Sequence, residues 1–389
     1  MDIPYLNKAQ MQAELEKCLQ CQAKPCQKAC PAGVSPHDFI KAAKNDDWAG
    51  AAEQIARQNP LGEVCGLICP DKFCQKACVR KHIDASIKIP LVQATIMQKA
   101  RDLKKITEYQ KVETLRNVAV IGGGPAGIGA AAELLKQNTA VTVFEKTAQL
   151  GGALNYIPAK RLPREIVQYE WQVLQRNPLL SIKLNEQIND ACSLMDDGFD
   201  GVIVATGTQK IRILGIKGEE NATLWSDYLR APEKFADARN VAIVGGGAVA
   251  VDCAITAVQQ GAKAVEMFVR RKYSDMRITP HERQQLLDAQ INITTMTKPI
   301  KIERKNSELL LYTSKTIFNN EGRLVDEPQT LIPRAGFDLI ITALGSDSDE
   351  EISENQYILY AGDVVNGAST AVEAVASGKK AAQDLLARL

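Results

Sequence analysis

Apolar positions change their period along the chain. Up to about Val112 they recur at helical spacing: Met11, Leu15, Cys18 and Leu19 share one face, and Ser35-Pro36 is a start signal before HDFIKAAK. From Asn117 the texture becomes short β-branched runs followed by Gly-rich turns and Ala-rich helices: NVAVIGGGPAGIGAAAELLK, AVTVFEK and GVIVATG. Strands alternating with helices predict a parallel α/β sheet. The texture restarts at Asn240 with NVAIVGGGAVAVDCAITAVQQG and AVEMFVRR. A last strand, FDLIITALG, precedes YAGDVVNGASTAVEAVASGKKAAQDLL. A helical segment and two nucleotide-binding α/β units are therefore expected.

Composition alters this picture little. The 389 residues, 45% hydrophobic and 24% charged, are those of an ordinary globular chain long enough for two or three domains. Lys+Arg 47 against Asp+Glu 46 leaves a net charge of +1, which implies no nucleic-acid footprint. The start MDIPYLNKAQMQAELEK lacks a basic segment leading into an apolar core. No later run reaches the ~18 apolar residues of a membrane span, so the sequence reads as cytoplasmic. Cysteine matters more. Eight of the ten cysteines fall between Cys18 and Cys78, leaving only Cys192 and Cys253 beyond. In a reducing compartment, metal ligation explains that clustering better than disulfides do.

The first set reads Cys18-x2-Cys21-x4-Cys26-x3-Cys30-Pro31. The second reads Cys65-x3-Cys69-Pro70 followed by Cys74-x3-Cys78. Eight thiols fit two four-iron clusters, and a Cys-Pro that closes a ferredoxin-type run serves the other cluster of a pair, which implies cross-ligation between the sets. Two structural zinc sites are the competing reading. Zinc modules usually split their ligands into well-separated pairs, whereas each set here is compact.

Gly122-Gly-Gly124-Pro125-Ala126-Gly127 stands between a strand and an Ala-rich helix. There Gly122 permits the turn, Gly124 admits a pyrophosphate, Gly127 lets the helix pack closely, and the helix N-terminus supplies amide donors. Glu145 ends the next strand at the ~20-residue distance of a ribose-binding carboxylate. The second unit, Gly245-Gly-Gly247-Ala248-Val249-Ala250, has Ala in the third glycine place, and its partner strand ends in Arg270-Arg271-Lys272. Arginines in place of an acid suit a 2′-phosphate and favour NADPH over NADH, unless they are merely a solvated strand end. Ala361-Gly362-Asp363 and the helix start Thr370-Ala371-Val372 can present an acceptor and amides to a sugar and a ring. His37, His82 and His281 share no Ser or Cys constellation, so no role is assigned to them.

These motifs resemble the family of the glutamate synthase small subunit and the N-terminal, electron-input part of dihydropyrimidine dehydrogenase. CLQCQAKPCQKACPAG, VCGLICPDKFCQKAC, VIGGGPAGIGAA, VFEKTAQLGGALNYIPAKRLP, VAIVGGGAVAVDCA, FVRRKYSDMR and YAGD carry the resemblance over nearly the whole chain. It implies an α/β protein with an N-terminal helical iron-sulfur domain and two Rossmann-like dinucleotide-binding domains, the second inserted in the first. The implied boundaries are 1–112 for two [4Fe-4S] clusters, 113–224 with 336–389 for FAD, and 225–335 for NAD(P)H.

Position by position, the resemblance implies that Cys18, Cys21, Cys26 and Cys78 hold one cluster. Cys30, Cys69, Cys74 and Gln93 would hold the other, since Ile89-Pro90-Leu91-Val92-Gln93 occupies the place of a ligating Gln, and Cys65 becomes the spare thiol. Glu145, Leu154, Arg161 and Asp363 match FAD positions, with Lys146, Gly152 and Gly345 added as cofactor contacts. Arg270, Arg271 and Arg277 match positions that hold the 2′-phosphate. Two departures stand out. The stretch between Gly345 and Ala361 is shorter than the hairpin such proteins usually carry there, and no pyrimidine, FMN or glutaminase domain follows.

The function expected is an electron-input flavoprotein that oxidises NADPH or NADH and passes electrons through FAD and two [4Fe-4S] clusters to a catalytic partner subunit in a hetero-oligomer. No side-chain acid or base is required, because the cofactors carry the chemistry. A stand-alone NADPH:ferredoxin-type reductase is the alternative. A disulfide reductase needs a Cys-x2-Cys beside the flavin, but Cys253 sits in Val-Asp-Cys-Ala. A vestigial iron-sulfur scaffold predicts damaged glycine motifs, and both are intact.

Overall fold

The computed structural model describes residues 5–103, 114, 116–306, 308–327, 330–348, 352, 353 and 355–389. The expected boundary at 112 lies outside them. The chain forms two compact units, one of Met1–Asn155, Ala159–Gln209 and Asp347–Leu389, the other of Tyr156–Pro158 and Lys210–Ser346.

The first unit opens with six helices: α1 (Lys8–Glu16), α2 (Pro25–Lys28), α3 (Pro36–Lys44), α4 (Trp48–Gln58), α5 (Gly62–Ile68) and α6 (Ile89–Asp102). Local chemistry sets their starts. Asn7 and Gln10 cap α1 reciprocally, Asp47 takes the Gly50 N–H at the start of α4, and proline occupies the first turn of α2, α3 and α6. Met11, Leu15, Phe39, Ile40, Ile55 and Ile96 fill the core. Leu19 corrects the sequence reading: α1 stops at Glu16, so Leu19 leaves the Met11/Leu15 face and is 45% exposed.

The same unit continues into a five-stranded parallel sheet in the order Ile358–Tyr360, Gly201–Val204, Asn117–Ile121, Ala140–Glu145, Leu180–Leu184. α7 (Pro125–Lys136), α8 (Arg164–Leu174) and α9 (Ala191–Asp196) connect its strands. The C-terminal helix Ala371–Leu386 crosses α7 at backbone contact: a Cβ on Gly378 would lie 2.0 Å from the Ala126 carbonyl oxygen. In the shortened stretch before Asp363, residues 349–351 and 354 lie outside the described set. Ile358–Tyr360 nonetheless closes the sheet edge against Gly201–Val204.

The second unit repeats the design. Its parallel sheet runs Thr223–Leu224, Leu339–Thr342, Asn240–Val244, Ala264–Val269, Asn292–Thr295. α10 (Trp225–Arg230), α11 (Ala248–Gln259) and α12 (Pro280–Asp288) bury Tyr228, Val251, Ala254 and Leu286 with one face. The other face packs through Phe268 onto Ile302, Leu311 and Phe337 of an antiparallel sheet formed by Thr297–Lys305, Glu308–Phe318 and Ile332–Phe337. The sequence boundaries of 225 and 335 leave Thr223–Leu224 and Leu339–Thr342 with the first sheet. Their parallel pairing in the second sheet places them in the second unit.

Candidate functional site

Short helices and turns bring the cysteines together. Cys18 and Cys21 follow α1, Cys26 lies on α2, and Cys78 arrives from the segment after α5. These four line one cavity, walled on its apolar side by Ile40, Ile87 and Ile89. Gln20 Nε2 donates to Cys18 Sγ at 3.2 Å. Burial pushes the Cys26 thiol up to about 11, with Cys18 and Cys78 adding to the effect.

Cys30, Cys69 and Cys74 form a second group. Burial, with Cys30 close by, pushes the Cys74 thiol up to about 12, and Cys69 at the end of α5 lies against the Cys65 thiol. Gln93 on α6 is 8% exposed, and its Nε2 donates to Gly62 O at 2.7 Å, which leaves the amide oxygen as its acceptor. Among the described residues no three His, Cys, Asp or Glu side chains converge on a single-ion position. Cys18, Cys21, Cys26 and Cys78 set soft sulfur donors around a cavity, a set that iron-sulfur clusters take.

The first glycine loop forms a dinucleotide cradle. A Cβ on Gly127 would lie 1.9 Å from Gly122 O, so only glycine lets α7 approach the turn. Gly124 caps α7 without any side chain, and the first intrahelical bond is Ile128 N–H to Gly124 O at 3.0 Å. The amides of Ala126 and Gly127 precede that bond and are donors for an anion. Gly152 lies across the loop against Gly124, and Leu154 behind it is buried. Glu145 is buried and already engaged: its carboxylate accepts from Gly123 N–H at 2.9 Å, and from Thr147 N–H and Oγ1 at 2.9 and 2.8 Å. Lys146 is exposed and donates to Gln209, and Arg161 is half-buried.

Asp363 follows Gly362, whose φ of +80° makes the turn possible. Burial raises the Asp363 carboxyl, although it accepts from Ser369 N–H and Oγ at 3.2 and 2.5 Å. Thr370 and Glu373 form a capping box at the start of the C-terminal helix, so the Thr370 and Glu373 amides are taken. Ala371 and Val372 lie between them.

In the second unit, Gly247 caps α11 and pairs through its backbone with Arg277. Arg270 and Arg271 leave the adjacent strand, with Thr316 Oγ1 donating to Arg270 O at 2.7 Å and Met296 N–H to Arg271 O at 3.2 Å. These bonds fix the backbone only. Among the described residues the guanidinium groups of Arg270, Arg271 and Arg277 make no hydrogen bond or ion pair. Gly345 takes a φ of +82° in the segment leaving this unit. Ala248 is exposed, Val249 half-buried and Ala250 buried. Cys253 is buried alone within the core of this unit, and its thiol is pushed up by burial.

Sequence reading missed two polar ties within the first unit. Glu170 of α8, 4% exposed, accepts from Glu63 N–H at 2.6 Å and Val64 N–H at 3.3 Å, the open amides at the start of α5. Lys379 of the C-terminal helix donates to Ala32 O and Gln58 O at 2.8 and 2.7 Å. Beside the first tie, Glu63 accepts from Tyr5 Oη at 2.5 Å and Arg101 at 2.9 Å. The signal for Glu170 was present: in REIVQYEWQVL it falls on the stripe of Ile166, Val167, Trp171 and Leu174.

Paired dinucleotide folds behind a sulfur-rich helical domain define a class: oxidoreductases that join a pyridine nucleotide to a flavin and iron-sulfur centres. Residues 116–378 match the model of pyridine nucleotide-disulphide oxidoreductases, and residues 3–105 match dihydropyrimidine dehydrogenase domain II, 4Fe-4S cluster. The chain belongs to the pyridine nucleotide-disulphide oxidoreductase family, in its branch with that iron-sulfur domain, and is an NAD(P)H-dependent FAD/iron-sulfur oxidoreductase. NAD-dependent dihydropyrimidine dehydrogenase subunit PreT of Escherichia coli (strain K12) is 31% identical over 389 residues, 95% of this chain and 92% of that protein. Glutamate synthase [NADPH] small chain of the same organism is 26% identical, over 98% of this chain and 92% of its own.

Among solved structures, FprA from Mycobacterium tuberculosis superposes with a TM-score of 0.58 at 17% identity, covering 70% of this chain and 84% of that one. T. acidophilum thioredoxin reductase gives 0.53 at 18%, covering 70% and 99%. Both likenesses concern the fold. Among the described residues no helix is long and apolar enough to cross a membrane.

Proposed function

We propose that the chain is the electron-input subunit of a larger oxidoreductase, oxidising NADPH and delivering single electrons through FAD and two [4Fe-4S] clusters to a catalytic partner chain. The observation that carries this reading is the first unit itself, where both thiol groups and the first glycine loop share one compact body joined by Glu170 and Lys379. The bound groups would supply the change from two-electron hydride chemistry to one-electron transfer.

The chain's own residues bind and orient. Cys18, Cys21, Cys26 and Cys78 would hold one cluster, and Cys30, Cys69, Cys74 and the Gln93 amide oxygen the other, with Cys65 spare. Ala126 and Gly127 amides would take the FAD pyrophosphate, while Asp363 would accept from its sugar hydroxyls. Arg270, Arg271 and Arg277, whose guanidinium groups are unpaired among the described residues, would take the 2′-phosphate of NADPH. The two curated relatives differ on this point, one being named NAD-dependent and the other NADPH, so the arginines carry the choice.

Both relatives are named as a subunit or small chain, which supports a partner for this chain too, of the dihydropyrimidine dehydrogenase or glutamate synthase catalytic type. Affinity purification from the native cell, with identification of the copurifying polypeptide, tests this. A stoichiometric catalytic chain is expected. Protein that purifies alone and reduces a ferredoxin-like acceptor at full rate defeats the partner reading.

A further inference from the structure

The C-terminal helix touches the predicted flavin cradle and the thiol helices at adjacent residues. Gly378 lies on the Ala126 carbonyl of α7, while the next side chain, Lys379, crosses to the helical domain. Its Nζ donates to Ala32 O at 2.8 Å, Gln58 O at 2.7 Å and Gln58 Oε1 at 3.2 Å, which uses all three ammonium donors. Ala32 is 3% exposed and lies two residues past Cys30, in the turn closed by Gly33 N–H to Cys30 O at 3.0 Å. Gln58 is the last residue of α4, where the helix dipole favours a cation.

Among the described residues no carboxylate forms a direct ion pair with Lys379, and Glu133 acts on its charge only through space. Glu133, an acid close to it, is engaged by Lys136 at 2.9 Å and by Gln383 at 2.7 Å. A half-buried ammonium held only by neutral acceptors is costly unless a negative group forms beside it. Thiolates bound to iron at Cys30 would be that group.

We propose that Lys379 is a positioning residue that locks the turn after Cys30 to the helix of the flavin cradle and, as the counter-charge of the cluster held by Cys30, makes that cluster easier to reduce. The inference rests on the cluster assignment above. It gives the lysine a role that a purely structural tie would lack, because charge as well as shape matters.

The test uses the holoprotein, purified anaerobically and titrated with dithionite through mediator dyes while each cluster is followed by electron paramagnetic resonance. In Lys379→Met the reduction equilibrium constant of the Cys30 cluster should fall about tenfold while the other cluster moves less than threefold, since Coulomb interaction weakens with distance. Lys379→Arg, which keeps the charge, should recover most of that loss. An equilibrium constant within twofold of wild type in Lys379→Met, with iron content intact, overturns the proposal.

Should the Met variant lose iron, Lys379→Gln keeps a donor for Ala32 O without the charge, and a wild-type constant there overturns the proposal equally. Flavin bleaching by NADPH should stay within twofold of wild type in every variant. Wild-type protein that binds no iron refutes the electron-input reading itself, and the role of Lys379 falls with it.

Discussion

Replacing Glu170 tests whether the flavin-side helix α8 holds the thiol helix α5. The carboxylate takes two N–H groups of the first turn of α5, at 2.6 and 3.3 Å, while the next amide, Cys65 N–H, is already bonded to Leu61 O at 2.9 Å. Glu170→Ala strands both donors in a buried site. At about 1 to 3 kcal/mol for each unsatisfied group, plus the cavity left behind, the loss should be about 3 to 5 kcal/mol. Glu170→Gln keeps one acceptor oxygen and should cost about 1 to 2 kcal/mol, because only one of the donors then faces an amide nitrogen.

Burial, with Glu63 nearby, raises the Glu170 carboxyl well above the ordinary carboxylate range. A raised carboxyl stabilises the fold fully below the ordinary value near ~4.3, and that contribution is lost as pH climbs through the raised value. The gap between wild type and Glu170→Gln should therefore narrow as pH rises from ~4 toward neutrality. Urea unfolding followed by the fluorescence of Trp171, 1% exposed and adjacent in α8, measures the losses, and hydrogen exchange at Glu63 and Val64 locates them. Equal stability of the Ala and Gln variants, or an Ala loss below about 1 kcal/mol, would refute the capping argument.

Anaerobically purified protein should contain about eight irons with matching sulfide and one FAD, as two cubanes and one flavin require, and zinc in their place would end the cluster assignment. Cys65→Ser should keep both clusters, whereas Gln93→Ala should alter the spectrum and potential of one, and loss of a cluster from Cys65→Ser alone would reverse that assignment. Arg270→Ala with Arg271→Ala should raise the NADPH concentration needed for flavin bleaching at least tenfold per arginine, from about 1.5 to 3 kcal/mol each, leaving the saturated rate nearly intact. Wild-type preference for NADH in stopped-flow bleaching would show those arginines to be surface charge.

What the sequence made legible were features written in short-range order. The turn from Gly122 to Gly127, the strand ending in Glu145 and the basic end at Arg270 and Arg271 each need only a dozen neighbouring residues, and all lie where the alternation of strand and helix put them. Leu19 misled because an apolar residue at helical spacing says nothing of where the helix stops, and the turns that carry Cys18 and Cys21 begin at Lys17. The second boundary was misplaced because a strand such as Leu339–Thr342 reads the same in either parallel sheet, and only its pairing with Asn240–Val244 decides. Glu170 and Lys379 join residues 107 and 347 positions apart, a separation at which no local pattern informs.

The two glycine loops show how one pattern serves two kinds of binding. In the first, α7 is buried from Ala126 to Leu135, pressed between the sheet and the C-terminal helix, and Gly127 leaves no space for even a methyl group. In the second, the third place is Ala250, and α11 begins at an exposed Ala248, while the guanidinium groups of Arg270, Arg271 and Arg277 are unpaired among the described residues. A cradle walled by backbone on several sides is rigid and favours a cofactor that stays through many turnovers. Long, solvated guanidinium chains can close on a phosphate and release it again, which a nucleotide exchanged at every turnover requires. The packing of each loop, as well as the order of the motifs, supports the proposal that FAD takes the first loop and NAD(P)H the second.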